Sequence, residues 1–301
     1  MKNFSTAVFG LGNIGIKYDL NNNFYKTHIK TLKKYKFFKI LFSVDKDQKQ
    51  NELVNKYYNI KTFKYIKNCP NVKLSLAVVS LPTNIHYKSC KEILKKFSPK
   101  VILLEKPGCN NLNELKKINS LCKKKNCYLA LNYIRRYDVK ISKIKIKFFS
   151  KKNIIKNFKY AKVYFNGSIK NTCSHYINLL NFFIDDFNHK KIKVLKLNQN
   201  FIIEKKLYNQ KEKKNFFFFK NKYLKNDEIH FVFKNYIIKY NNKDGNFLII
   251  DYKKSKMINT DLKNYQNSVY YVLISLLKKK IINTNSNYKD AAVTHQILRK
   301  L

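Results

Sequence analysis

Apolar and polar positions follow two alternating patterns over the first half of the chain. Short apolar runs of the kind that form strands buried on both faces alternate with segments whose apolar residues have helical spacing. The runs lie at 4–9, 37–44, 60–65, 73–81, 100–104 and 127–131, and the helical segments at 28–35, 46–57, 85–97 and 113–124. No hairpin signal separates the runs. This alternation predicts a right-handed, doubly wound parallel sheet.

The pattern changes at about residue 140, where strand-like runs begin to follow one another directly. These runs lie at 159–165, 191–197, 216–219, 229–233, 236–240 and 247–252, and helices are predicted at 173–184, 265–278 and 289–301. Asp244-Gly245 is a hairpin-turn signal between the last two runs. The predicted fold class is therefore α/β, with a doubly wound parallel sheet in residues 1–135. An α+β domain built on an open antiparallel sheet is predicted for residues 136–301.

The first apolar run leads directly into a glycine-rich turn. Its sequence is Gly10-Leu11-Gly12-Asn13-Ile14-Gly15, which places G-x-G-x-x-G between a strand and a helix. In dinucleotide-binding Rossmann folds, the first glycine permits the turn, the second lets the backbone approach the pyrophosphate, and the third lets the helix pack closely. We expect Gly10, Gly12, Asn13, Ile14 and Gly15 to bind a dinucleotide.

The second run ends at Asp45, whose carboxylate is placed to accept hydrogen bonds from an adenosine ribose diol. This favours NAD as cofactor, although Lys46 and Lys49 could reach a 2′-phosphate and leave NADP possible. Asp45 lies thirty residues after Gly15, where about twenty are expected. The excess predicts an insertion at 19–23, a polar loop that either contacts ligand or is solvated.

The net charge of +45 at first suggests nucleic-acid binding. Only three residues are Arg (135, 136 and 299), and the lysines are spread along the whole chain. Arginine is the residue favoured for hydrogen bonds to bases and for bidentate bonds to phosphate. We therefore expect only weak, salt-sensitive binding to polyanions and no specific binding to a nucleic acid. The high Lys, Asn, Ile, Tyr and Phe content is typical of an AT-rich genome.

The six cysteines show no C-x-x-C pair and no spacing to histidine that suits zinc, so no metal site is predicted. The sequence begins without a long apolar segment, and no apolar run reaches about 18 residues. We therefore expect a cytoplasmic chain that does not enter a membrane.

In these residues the chain resembles the Gfo/Idh/MocA oxidoreductases, a family that includes glucose–fructose oxidoreductase and inositol dehydrogenase. The resemblance covers nearly the whole chain, and Glu105-Lys106-Pro107 is its most specific match. The other anchors are the glycine turn, Asp45, residues 80–86, Asn132 with Arg135 and Arg136, residues 167–180 and residues 290–295. The last of these resembles the family's final helix, which implies a complete chain.

The resemblance implies roles for these positions. Lys106 matches the catalytic lysine that contacts the nicotinamide ribose and the substrate hydroxyl, and the Lys106–Pro107 bond is often cis in the family. Further cofactor contacts are implied at Ser80, Pro82, Thr83, His86, Glu105 and Asn132, and substrate contacts at Arg135 and Arg136. His86 is the one remaining histidine with a case as a cofactor contact; His28 is predicted to be structural.

The family also has Asp-x-x-x-His at a helix start, and here the match is Asn171-Thr172-Cys173-Ser174-His175. Four residues put positions 171 and 175 on one face of an α-helix. The resemblance makes His175 a second catalytic group, and both residues substrate-binding. Asn171 cannot stabilise an imidazolium by charge. We therefore expect Lys106 to carry more of the proton transfer than His175.

These inferences predict an NAD(P)-dependent oxidoreductase acting on a sugar or nucleotide-sugar, of the type associated with surface-polysaccharide synthesis. The alternative is an NAD-binding sensor or scaffold that lacks turnover, motivated by the missing aspartate. The four phenylalanines at 216–219 would place two aromatic rings on each face of a strand. This indicates either a sheet that is covered on both sides or a subunit contact. We predict a homo-oligomer, formed through the second sheet.

Overall fold

The computed structural model describes residues 3–187, 192–208, 210–251, 254–260 and 264–301. The chain forms two compact units, Met1–Tyr137 with Lys263–Ala292, and Asp138–Leu262 with Val293–Leu301. The boundary predicted from the sequence lies two residues earlier, and the predicted second domain included the whole of 136–301. The difference arises because a late segment of the chain returns to the first unit. No helix in the described part of the chain is long and apolar enough to span a membrane.

The strands of the first unit are β1 (Phe4–Phe9), β2 (Phe38–Val44), β3 (Thr62–Phe63), β4 (Leu76–Val79), β5 (Val101–Glu105) and β6 (Tyr128–Asn132). They pair in the order β3-β2-β1-β4-β5-β6, and every pairing is parallel. This is the doubly wound order of dinucleotide-binding sheets, so the predicted parallel sheet is confirmed. All four residues of β4 are buried, as expected for a central strand covered on both faces.

The helices, in chain order, are α1 (His28–Lys34), α2 (Gln48–Tyr58), α3 (His86–Phe97), α4 (Leu112–Lys124), α5 (Val139–Phe148), α6 (Lys151–Asn157), α7 (Ser174–Phe183), α8 (Tyr265–Leu277) and α9 (Tyr288–Leu298). The first four, with α8, belong to the first unit. Asp47 begins α2 by accepting the N–H of Lys49, and Asn111 begins α4 by accepting the N–H of Glu114.

A detour interrupts the helix that follows the glycine turn. The N–H of Ile16 donates to the carbonyl of Gly12, four residues earlier, as in an α-helix. The N–H of His28 then donates to the carbonyl of Ile14, fourteen residues earlier. The chain therefore leaves the helix and rejoins it about ten residues later, which matches the excess predicted from the position of Asp45.

Asp19 fixes this detour in place. Its carboxylate accepts the N–H groups of Lys26 (2.6 Å) and Thr27 (2.8 Å) and the Thr27 hydroxyl (2.6 Å). Asp19 is fully buried, whereas Asn21, Asn22 and Asn23 are exposed. The predicted loop is thus solvated only at its tip, and its first residue is a structural anchor.

The second unit contains β7 (Phe158–Phe165), β8 (Lys193–Leu197), β9 (Asn200–Lys205), β10 (Lys214–Lys220), β11 (Glu228–Phe233), β12 (Tyr236–Asn241), β13 (Phe247–Asp251) and β14 (Ser255–Ile258). Their order is β14-β13-β12-β11-β7-β10-β9-β8. The pairings are antiparallel as predicted, with the exception of the parallel pair β7–β10. Residues 191 and 252, the ends of two predicted strands, lie outside the described residues.

Two helices of the second unit, α5 and α6, were not predicted. Asp138 accepts the N–H groups of Lys140 and Ile141 at the start of α5, and the Ser150 hydroxyl accepts the N–H of Asn153 at the start of α6. Both residues are favoured N-caps, so their positions were the available signal. Ile141, Ile144 and Ile154 then pack into the apolar core of this unit.

Candidate functional site

The residues expected to bind the cofactor lie in one row at the carboxyl edge of the first sheet. In register, Val44 pairs with Phe9, Phe9 with Val79, Val79 with Leu104, and Leu104 with Leu131. The next residues along these five strands are Asp45, Gly10, Ser80, Glu105 and Asn132. Open parallel sheets bind ligands beyond the carboxyl ends of their strands, so the predicted residues meet where the fold places a ligand.

The three glycines of the turn occupy different environments. Gly10 has φ +101°, and a Cβ there would lie 2.5 Å from the backbone nitrogen of Leu81. A Cβ on Gly15 would lie 2.5 Å from the carbonyl oxygen of Gly10. Nothing lies within 4 Å of a Cβ built on Gly12. Packing therefore requires glycine at positions 10 and 15, whereas at position 12 the protein itself leaves open space, which fits the close approach of a phosphate.

Within the same turn, Asn13 is exposed and Ile14 is half-buried. The carbonyls of both are used locally, by Tyr18 N–H (3.0 Å) and His28 N–H (3.0 Å) respectively. These bonds hold the turn against the two parts of the interrupted helix. Contact of Asn13 and Ile14 with a cofactor remains a prediction.

Asp45 is fixed against the glycine turn by two backbone amides. Its Oδ2 accepts the N–H of Leu11 (2.6 Å), and its Oδ1 accepts the N–H of Asp47 (3.0 Å). The residue is half-buried, whereas Lys46 and Lys49 are exposed. The carboxylate is thus preorganised beside the turn that is expected to hold the pyrophosphate.

The segment after β4 is joined to neighbouring turns through Ser80 and His86. The Ser80 hydroxyl donates to the Gly10 carbonyl (2.7 Å), Pro82 is exposed and Thr83 is half-buried. His86 is fully buried, with Nδ1 2.8 Å from the Gly108 carbonyl oxygen and Nε2 2.6 Å from that of Leu81. Because both ring nitrogens lie next to backbone carbonyls, His86 braces the two turns against each other. Contact of His86 with a cofactor remains a prediction.

Lys106 lies in a turn in which the Gly108 N–H donates to the Glu105 carbonyl (3.0 Å) and the Lys106–Pro107 bond is cis, as the resemblance implied. Burial lowers the pKa of Lys106, the Glu105 carboxylate opposes that shift, and Arg135 adds to it. The outcome is a lysine pKa below the usual value of about 10.4. A lowered pKa makes the neutral amine more accessible as a base.

Glu105 is held by two side-chain donors. His28 Nε2 lies 3.0 Å from Glu105 Oε1, and Asn132 Nδ2 donates to the same oxygen. Burial raises the pKa of Glu105, but the bond from His28, the charge of a protonated His28, the bond from Asn132 and the charge of Lys106 outweigh it, so the net pKa is lowered. The contact of His28 with Glu105 was not predictable from the sequence, because only the tertiary fold brings α1 to the end of β5.

Arg135 and Arg136 are both buried. Arg136 Nη1 donates to Asp290 Oδ1 (2.7 Å) and to the Asn285 carbonyl (3.2 Å). Burial lowers the pKa of Arg136 and the Asp290 carboxylate opposes the shift. These contacts connect residues 285–290 to the turn after β6, so Arg136 has a structural role. Contact of Arg135 and Arg136 with a substrate remains a prediction.

Asn171 and His175 lie in the second unit, at the start of α7. A π-helical turn, Ile169–Cys173, precedes that helix, and the Ser168 hydroxyl caps it by accepting the Asn171 N–H (3.1 Å). Asn171 is exposed and His175 is half-buried. Single π-turns often occur at functional sites. The roles of both residues remain predictions.

A dinucleotide fits the residues that this edge presents. The position above Gly12 is open, the Asp45 carboxylate stands at the turn, and the buried Asn132 Oδ1 accepts no hydrogen bond within the described residues. The glycine turn would bind the phosphates of the cofactor, and the Asp45 carboxylate would accept hydrogen bonds from its ribose. Asn132 Oδ1 would accept a hydrogen bond from a donor group of the cofactor. No cluster of metal-binding side chains is found among the residues that the structure describes.

Comparison with solved structures supports the fold over the full length of the chain. A dehydrogenase (MviM) from Clostridium difficile has a TM-score of 0.77 at 15% identity, covering 99% of this chain and 98% of that one. UDP-N-acetylglucosamine 3-dehydrogenase GnnA from Acidithiobacillus ferrooxidans has a TM-score of 0.75 at 10% identity, covering 100% and 97%.

A third similar structure is a point mutant of KijD10, a 3-ketoreductase from Actinomadura kijaniata, in complex with TDP-benzene and NADP. Its TM-score is 0.77 at 8% identity, covering 100% of this chain and 97% of that chain. Comparison of the sequence with curated proteins finds no match.

Comparison with protein families gives the assignment. Residues 4–133 match the model of the oxidoreductase family with an NAD-binding Rossmann fold, GFO_IDH_MocA. The match begins with β1 and ends one residue after β6, so it contains every strand of the parallel sheet. Residues 4–133 thus belong to the NAD-binding Rossmann domain family of the Gfo/Idh/MocA oxidoreductases.

Proposed function

We propose that the chain is an NAD(P)-dependent oxidoreductase that transfers a hydride between nicotinamide and a carbinol or keto carbon of a sugar or nucleotide-sugar. The observation that carries this proposal is the register row ending in Asp45, Gly10, Ser80, Glu105 and Asn132. It places the turn that carries Lys106 at the same sheet edge as the residues that would hold a dinucleotide.

Lys106 supplies the proton chemistry in this proposal. The bound cofactor accepts or supplies the hydride. During oxidation the neutral Lys106 amine takes the proton of the substrate hydroxyl, and during reduction the ammonium returns it. The lowered pKa of Lys106 supports this role, because the neutral amine is then populated closer to neutral pH.

His175 is proposed as a second group that exchanges a proton with the substrate, a role that suits imidazole near neutral pH. Asn171 can donate and accept hydrogen bonds beside it. Residues 138–262 and 293–301 are proposed to bind the substrate. A nucleotide-sugar is the proposed substrate. Two structurally similar proteins support this proposal: one is named a UDP-N-acetylglucosamine 3-dehydrogenase, and the other is a 3-ketoreductase in complex with TDP-benzene. A part in surface-polysaccharide synthesis remains a prediction.

The proposed function is tested with a panel of sugars and nucleotide-sugars. Each is mixed with the protein and NAD or NADP, and the absorbance of the reduced cofactor is measured in steady state. We expect at least one sugar to give turnover that depends on protein concentration. Binding of the dinucleotide with no turnover across the panel would favour the alternative, an NAD-binding sensor or scaffold. The observation behind that alternative is Asn171, which stands where the family has an aspartate.

Asp45 should make the protein prefer NAD to NADP, since its carboxylate would repel a 2′-phosphate. We expect calorimetric titration to give tighter binding of NAD. The Asp45→Asn variant keeps an oxygen that can accept the Leu11 N–H but loses the charge, so it should narrow the preference. Tighter binding of NADP to the wild type would contradict this prediction and would point to Lys46 and Lys49.

The sheet of the second unit supports the proposal of a homo-oligomer. Along β10, Phe216 and Phe218 are buried in the core, whereas Phe217 and Phe219 are half-buried on the opposite face. There Phe219 stacks on Tyr164 with ring centroids 5.3 Å apart, and Phe217 meets Tyr160 at 5.9 Å. Such an aromatic row in the middle of an open sheet is typical of a surface that another chain covers.

A second copy of this chain is the proposed partner of the aromatic row, and light scattering should give a mass at least twice 36.0 kDa. The Phe217→Asp variant should dissociate, because its charge would be buried in the interface. Tyr223→Asp is the matched control, since Tyr223 is 79% exposed and lies outside the strands. A wild-type species of 36.0 kDa alone at micromolar concentration would overturn the proposal.

A cytoplasmic location is also proposed. All six cysteines are free and buried. Free thiols support a reducing compartment, since oxidising compartments favour disulfides.

A further inference from the structure

Three side chains of the first unit, two of them buried, form a hydrogen-bonded chain that ends beside Lys106. Tyr270 of α8 places its hydroxyl 2.8 Å from Nδ1 of His28, the first residue of α1. Nε2 of His28 lies 3.0 Å from Oε1 of Glu105, the last residue of β5. His28 and Tyr270 are both fully buried. A buried polar group costs free energy unless it has a hydrogen-bond partner, so each group in this chain needs a matching donor or acceptor.

The chemistry of the three groups determines where the protons lie. Ionised Glu105 can only accept, so His28 Nε2 must carry a hydrogen and donate it. When Nε2 carries the only ring hydrogen, Nδ1 accepts the hydroxyl hydrogen of Tyr270. Burial raises the pKa of Tyr270 well above its ordinary value, so this hydroxyl stays protonated. With this arrangement every bond in the chain has one donor and one acceptor.

Glu105 connects this chain to the reacting lysine. Its carboxylate raises the pKa of Lys106 against the lowering caused by burial and by Arg135. The bond from His28 in turn helps to keep Glu105 ionised, because burial alone would raise the pKa of that carboxyl. Loss of the His28 donor would therefore remove or displace the negative charge next to Lys106.

We propose that His28 is a positioning residue of the reaction: oriented by Tyr270, it holds the Glu105 carboxylate ionised and in place beside Lys106. His28 does not contact substrate or cofactor in this proposal, and it acts through Glu105. The inference rests on the proposed role of Lys106. Its first test is nevertheless independent of turnover.

The first measurement is peptide-resolved acetylation of Lys106 as a function of pH in the protein without cofactor. Only the neutral amine reacts, so the midpoint of the profile follows the pKa of Lys106. In His28→Leu and in Glu105→Gln the nearby negative charge is weakened or lost, so both midpoints should move to lower pH. Tyr35→Phe is the matched control, because it removes another hydroxyl bond to α8, to the Asn267 carbonyl, and its midpoint should not move.

The second measurement is steady-state kinetics with a substrate found in the screen. His28→Leu should lower kcat by about 10²-fold, the scale of a misplaced catalytic group, with little change in KM or in NAD affinity. His28→Gln can still donate to Glu105 and accept from Tyr270, so it should recover part of the loss. A merely structural role would not produce this recovery together with a shifted acetylation midpoint.

The outcomes separate the inference from the proposed function. An unchanged acetylation midpoint in folded His28→Leu overturns the inference, whether or not the protein shows turnover. If His28→Leu does not fold, His28→Asn, whose shorter side chain cannot reach Glu105, decides in the same way. A shifted midpoint in a protein that reduces no cofactor supports the inference and refutes the proposed function.

Discussion

Lys106→Ala should lower turnover by about 10²–10⁴-fold, the usual contribution of a general acid or base. The amine that exchanges a proton with the substrate hydroxyl is lost, and the neighbouring Glu105 carboxylate is already engaged by His28 and Asn132. NAD affinity should change little, since the glycine turn and Asp45 are untouched. Single-turnover reduction of bound NAD by the substrate measures the chemical step directly.

Lys100→Ala is the matched control for this variant, because Lys100 is exposed and immediately precedes the same strand, β5. It should retain wild-type turnover. In the wild type, sugar oxidation should accelerate as pH rises through the lowered pKa of Lys106, since the neutral amine is the base. The assignment is wrong if Lys106→Ala keeps near wild-type turnover.

Gly12→Ala should weaken NAD binding by about 10- to 100-fold without lowering the melting temperature. A Cβ at this position meets no atom of the protein within 4 Å, so the fold should accept it. The same methyl group would occupy space needed by the pyrophosphate. Calorimetric titration and thermal unfolding measure the two effects separately.

Gly10→Ala provides the contrast, because its Cβ would lie 2.5 Å from the Leu81 nitrogen at a positive φ. We expect that variant to be destabilised even in the absence of cofactor. If Gly12→Ala binds NAD as tightly as the wild type, the phosphates do not pass over Gly12, and the fingerprint has only a structural role here.

The parallel sheet was predictable because its signals are local. Each buried strand is a short apolar run, and its carboxyl end carries a polar or glycine residue that the register then aligns, as for Asp45, Glu105 and Asn132. Even the detour after the glycine turn was indicated by the spacing of Asp45. The burial of Asp19 was not, because an aspartate in a polar loop gives no sign of the amides it will accept.

The remaining features depend on contacts between distant parts of the chain. His28 and Tyr270 are 242 residues apart in the sequence. Nothing in the sequence around either residue indicates that the two side chains form a hydrogen bond. Residues 263–292 join the first unit through contacts such as the bridge between Ala130 and Asn287. Arg136 looks like a ligand-binding residue in sequence, and only the fold reveals its ion pair with Asp290.

The six buried cysteines make local opening of the protein measurable over time. Burial raises the pKa of the thiols of Cys69 (to about 11) and Cys109 (to about 12), and also that of Cys173. Because the thiolate is the reactive form, an alkylating reagent at neutral pH should modify them only when the surrounding structure opens. Cys173 lies in the second unit and the other five in the first. The rates of alkylation therefore report the opening free energies of the two units separately, within one sample and without any introduced label.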